Sequence, residues 1–232
     1  MKIVRHNNAG FTLIELLLAM VIGLIVMTQI YSVYNLQQKV YASQLQIVEM
    51  QQNLRAGMLM LTNELRMAGY DPTGNANAGF VSIAAGTINF TLDDTDATSA
   101  AEDGDGTING ENENITYSLA IDPDDGRKKL FRQSLTETAP GSAVAENIDA
   151  LEFIYLDADG SELDITDSDS AALVTSVEVS LVARTDRITQ SDLVNNTVYR
   201  NLRGDPINDD AYGDAYRRRV LSTRVKCRNL GL

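Results

Sequence analysis

The sequence predicts an α+β fold in which the second half of a long N-terminal helix packs on a mainly antiparallel β-sheet domain. Three observations carry that expectation. Residues 11–67 contain no proline and are dense in helix-forming apolar residues; beyond Gly69 the apolar period drops to two; and clusters of Asp, Gly, Pro and Asn separate the alternating runs. At 232 residues and 44% hydrophobic content, the chain can bury one medium-sized core beside an extended element.

The run GFTLIELLLAM, Gly10 to Met20, holds one carboxylate, Glu15, among residues that otherwise read as a membrane segment. A charge at bilayer depth costs about 2.5–3.5 kcal/mol or more, so an intramembrane acid calls for a partner. No Lys or Arg lies between Arg5 and Lys39, and the chain offers no nearby basic side chain. Residues 1–10, MKIVRHNNAG, carry Lys2 and Arg5 without an acid and read as a short leader kept on the cytoplasmic side. No A-x-A pattern follows the apolar run, which continues directly into a helical pattern, so the expected cut precedes the run.

Gly10, Phe11, Thr12, Leu13, Ile14 and Glu15 together resemble the processing signal of type IV prepilins and type II secretion pseudopilins. The resemblance implies cleavage between Gly10 and Phe11 by a prepilin peptidase and methylation of the new Phe11 amine. It also supplies the partner that Glu15 lacks: the Phe11 amine of a neighbouring subunit, which offsets the cost of burying either charge alone. An acid in the first helical turn suits the helix dipole as well.

From Phe11 to about Met67 the chain reads as one helix, with Gly23 and Gly57 as its weak points. Its first half is apolar nearly all round to Met27 and is long enough to span a bilayer when continued through Tyr34. Leu54, Met58, Leu61 and Leu65 then follow the spacing of a helix with one face packed on a domain. At ~1.5 Å per residue the helix is roughly 85 Å long, and half of it is expected to project from the domain. Gly69 and DPTG, Asp71 to Gly74, end it.

The strand signals follow in order. TINFTL alternates through Ile88, Phe90 and Leu92, and ITYSLAI through Ile115, Tyr117, Leu119 and Ile121. DPDDGRKK is a turn that joins ITYSLAI to LFRQSL as a hairpin. ALEFIYL, Ala150 to Leu156, and TSVEVSLVAR, Thr175 to Arg184, add two strands; the second is expected to bury Val177, Val179 and Leu181 and to show Ser176, Glu178 and Ser180. In the final strand Leu221, Thr223, Val225 and Cys227 share one face, which makes the single cysteine a small buried residue; a reactive or intermolecular thiol is the alternative.

The order of long helix, NIDALEFIYLDADG, SVEVSLVAR and the terminal YRRRVLSTRVKCRNLGL is similar to PilW-type minor pilins and the related J-type pseudopilins. That resemblance implies a type IV pilin-like fold with a leader at 1–10, a helix at 11–68 bearing the transmembrane segment, and a β-rich domain at 69–232. It further implies a single pass through inner-membrane lipid, a periplasmic C-terminal domain, and assembly with other minor pilins and the major pilin to prime a pilus. Pilins of this family often close a C-terminal loop with two cysteines, and this sequence has only Cys227.

Charge is segregated along the chain. Residues 71–126 contain no Lys or Arg, whereas 217–228 carry six basic residues and no acid. With a net charge of −13 the chain is a poor general nucleic-acid binder. DDTDATSAAEDGDG, Asp93 to Gly106, reads as a solvated acidic loop, with calcium binding as the sharper alternative; Asp157, Asp159 and Glu162 in DADGSELD have similar chemistry but do not match an EF-hand loop. The only histidine, His6, falls in the expected leader, and no nucleophile–base arrangement or phosphate loop can be assembled from the rest. The expected role is structural, with no cofactor beyond that calcium alternative. A type II secretion pseudopilin and a tip-exposed adhesive module, calcium-dependent or not, are the competing functions.

Overall fold

The computed structural model describes residues 10–94, 104–188, 194–208 and 211–230. Leader residues 1–9 and the 95–103 part of the acidic stretch lie outside the described residues. The chain divides into two compact units, one ending at Leu45 and the other running Gln46–Leu232.

Helix α1 spans Leu13–Met67. In the first unit its apolar side chains are exposed all round, from Leu13 through Met27 and on to Tyr34. In the second unit the expected stripe of Leu54, Met58, Leu61 and Leu65 is buried, extended one turn back by Met50. Gly57 sits on that face, and a Cβ there would lie 2.7 Å from the Cβ of Ala145. The glycine that propensity marks as a weak point is therefore a point of close approach. Gly57→Leu should destabilise the fold by about 1–3 kcal/mol through overpacking, read as a lower urea midpoint in pulse proteolysis of the detergent-solubilised chain. An unchanged midpoint would contradict the packing described here.

Gly69 ends α1 with φ of +75°, a conformation in which glycine carries no Cβ penalty. The Asn229 side chain donates to the carbonyls of Arg66 and Met67, and Asp71 accepts from the backbone N–H groups of Gly74 and Asn77, fixing the exit.

Five antiparallel strands then form one sheet in sequence order: β1 Phe80–Ile83, β2 Thr87–Thr91, β3 Asn114–Ile121, β4 Lys128–Gln133 and β5 Ser142–Ala145. The expected hairpin is β3–β4, with Ile121 opposite Lys128 and the turn closed by the Gly126 N–H on the Asp122 carbonyl. Three more antiparallel strands, β6 Ile148–Leu156, β7 Ser176–Arg184 and β8 Arg218–Lys226, form a second sheet in that order. The domain thus contains two sheets where one was expected. The ladder breaks between β5 and β6, where Asn147 takes a positive φ of 54° and redirects the chain. The sheets still meet: Phe153 N–H donates to the Ala85 carbonyl, and the Tyr155 hydroxyl reaches the carbonyls of Ala84 and Thr87. Ile88, Phe90, Tyr117, Tyr155, Val177 and Leu181 form the centre of the core with the α1 stripe.

One face of β7 departs from the expectation. Glu178 and Ser180 are buried, at 3% and 2% exposure. β7 is the central strand of its sheet, and the segment following it returns over the outer face: Arg203 bonds Glu178 and Glu162, and Asn201 bonds Glu152. Arg224 on β8 completes the pairing of Glu178. An acid in an alternating strand looks solvent-facing, but here it meets two guanidinium groups that offset its burial.

Cys227 lies on the core side as expected and is fully buried, and burial pushes its thiol up to about 12. A thiol protonated at neutral pH is a poor nucleophile. Iodoacetamide should therefore label the folded chain at least about tenfold more slowly than the urea-unfolded chain, measured by intact mass; equal rates would show an accessible thiolate.

Candidate functional site

The N-terminal site is built by the start of α1. Gly10 has no atom that a Cβ would meet within 4 Å, and Phe11 is 92% exposed. The helix begins at Leu13 rather than Phe11 because Thr12 caps it. The Glu15 N–H donates to Thr12 Oγ1 at 3.4 Å, while the Thr12 N–H and hydroxyl each donate to Glu15 Oε2 at 2.9 Å. This reciprocal pairing is a capping box, which satisfies two helix-end donors at once. The Thr12-Leu13-Ile14-Glu15 spacing carries that signal in the sequence, and reading Glu15 for its charge alone overlooks it.

Residues 5–28 match the model of the prokaryotic N-terminal methylation motif. The chain carries a prepilin-type methylation motif. The matched residues run from Arg5 across the Gly10-Phe11 junction and Glu15 and through the apolar run to Thr28. No match was found among curated proteins. Among solved structures the chain is similar to a type IV-like pilin from Thermus thermophilus, at 13% identity over 78% of this chain and 96% of that one, with a TM-score of 0.47. The motif implies processing by a prepilin peptidase and assembly with pilins, and points to a structural subunit instead of an enzyme. α1 is long and apolar enough to cross a membrane and fits the anchoring helix of such a subunit.

The acidic candidates separate on folding. Asp157 accepts from the N–H groups of Asp159 and Ser161 and so closes a turn, while Glu162 is held by Arg203 at 2.7 Å. Among the described residues the carboxylates that gather within 4.8 Å of one another are Asp93, Asp105 and Glu113. Asp93 and Glu113 are buried and Asp105 is exposed. Asp93 already accepts from the N–H groups of Asp105 and Gly106, and Glu113 from those of Asp94 and Gly110. Backbone donors therefore meet much of the charge. Sequence places Asp93 and Asp105 in one loop, but Glu113 joins them only through the β2–β3 register, which sets Thr91 opposite Asn114.

Proposed function

We propose that this chain is a minor type IV pilin, an assembly subunit that helps prime a pilus in a complex with other minor pilins and the major pilin. The methylation motif carries the reading. A peptidase cuts between Gly10 and Phe11, Phe11 is methylated, and residues 11–68 form the anchoring helix of a single-pass inner-membrane protein whose domain, 69–232, faces the periplasm. Glu15 pairs with the Phe11 amine of a neighbouring subunit when the helices gather. The exposure of every apolar side chain from Leu13 to Met27 supports this, since those side chains find lipid first and neighbouring helices later.

Intact-mass analysis of the membrane-purified chain should show loss of residues 1–10 and a methylated Phe11. Retention of Met1–Gly10 in peptidase-competent cells would refute the reading. Deletion of the gene, scored for surface pili and for export of a secreted enzyme in one strain, separates the pilus role from that of a type II secretion pseudopilin: pili are lost and export persists. The reverse result would assign the chain to secretion.

A calcium-dependent tip module would have to draw on the Asp93, Asp105 and Glu113 group. It requires that calcium near 1 mM raise the melting temperature of the full chain in detergent more than magnesium does. With backbone donors already on two of the three carboxylates, the expected result is no shift.

A further inference from the structure

Strand β8 ends its sheet with an open edge. Its nine residues, Arg218–Lys226, pair with β7 in unbroken register. Flanking bonds fix which main-chain groups face β7: the Thr185 N–H donates to the Arg217 carbonyl, and the Cys227 N–H to the Thr175 carbonyl. Bonded and non-bonded pairs alternate along an antiparallel ladder, so the odd-numbered residues of β8 serve β7. Val220, Ser222 and Arg224 therefore turn their N–H and C=O groups outward, and among the described residues no main-chain partner meets them. Val220 and Arg224 are also exposed.

The other edges are short or taken. β1 and β5 have four residues each. The outer side of β6 is occupied, since the Phe153 N–H reaches the Ala85 carbonyl and the Tyr155 carbonyl accepts from the Leu163 N–H. Long edges are blunted by bulges, proline or charge, and β8 carries neither bulge nor proline. Its protection is charge: residues 217–228 hold six basic residues and no acid. Arg218 and Arg224 are committed to Asp149, Asp214 and Glu178. Arg219, Lys226 and Arg228 are exposed and meet no acid among the described residues. Such an edge repels a second copy of itself, because two paired β8 strands would set basic residues opposite one another with no acid on either. The same charge attracts an acidic strand.

We propose that an acidic, extended segment of a different pilin subunit adds to β8 as a fourth strand of the β6–β7–β8 sheet. This rests on the assembly role proposed above. The test places a photo-cross-linking residue at Val220 of the full chain in cells and, in a separate chain, at Leu17 on the membrane helix. Val220 should give an adduct with another pilin, mapped by peptide mass to a segment of net negative charge. Ser222→Pro removes an outward N–H and leaves the β7 ladder its donors, so it should cut the yield about tenfold. Arg219→Glu combined with Lys226→Glu should cut it about tenfold while the melting temperature stays level, and decides the matter if Ser222→Pro does not fold. Three results would overturn the inference: cross-linking at Leu17 without an adduct at Val220, an adduct indifferent to the charge reversal, or a β8-to-β8 adduct between two copies of this chain. Loss of cross-linking at Leu17 as well would overturn the assembly role itself, and the inference with it.

Discussion

Glu15→Val should leave the chain cut and fully retained in the membrane, yet lower its cross-linking to other pilins by on the order of tenfold to a hundredfold. The two effects have opposite signs for one physical reason. Removing a carboxylate from a membrane helix relieves a cost of about 2.5–3.5 kcal/mol in the single subunit. In the proposed assembly, the same change would strand the Phe11 amine of a neighbour, and breaking a buried pair from one side is far more costly than never having formed it. The capping box adds a competing explanation, because Glu15 also holds the Thr12 N–H at 2.9 Å. Glu15→Gln separates them: an amide at this position still completes the cap, but carries no charge. If the ion pair matters, Gln fails as Val does. Parental cross-linking for Glu15→Gln with loss for Glu15→Val would assign Glu15 to the cap alone, and parental behaviour of both would remove it from assembly.

The legible parts of this fold are those specified by local pattern. The α1 stripe from Leu54 to Leu65, the glycine stop at Gly69 and the β3–β4 hairpin follow from period and turn chemistry, and each lies where the sequence places it. β1 and β5 are not legible: each has four residues, too few to show an alternation, and each lies at an edge of its sheet. The break between the two sheets turns on the positive φ of Asn147, one residue in a run that otherwise reads as continuous strand. Burial of Glu178 depends on Arg203, which comes from 25 residues away and leaves no trace in the alternation around it. At the N-terminus, resemblance to a prepilin signal makes Gly10 and Phe11 candidates and its isolated charge makes Glu15 one, while the capping role of Glu15 shows in its hydrogen bonds to Thr12.

Arg218→Ala should cost about 3–5 kcal/mol of stability, as much as truncating a fully buried core aromatic. The guanidinium is 2% exposed, bonds both Asp149 and Asp214, and stacks 3.7 Å from the centroid of the Tyr212 ring. Deleting it leaves the Asp149 and Asp214 carboxylates without their shared guanidinium at the base of β8, with Arg184 at 3.4 Å from Asp149. Packing and charge can be told apart with Arg218→Met, which restores most of the volume but no donor: if the loss is electrostatic, Met recovers little of it. Acid supplies an independent check. The Arg218 hydrogen bond holds the Asp214 carboxyl below its ordinary value, so this contribution is fully present above about pH 3.9 and is lost as pH falls through the lowered native pKa. The stability gap between parent and Arg218→Met should therefore be constant from neutral pH down to about 4 and narrow below it, measured by pulse proteolysis in urea on the full chain in detergent. A gap under about 1 kcal/mol at neutral pH, or one that widens on acidification, would show that Arg218 fills space at this corner without holding it together.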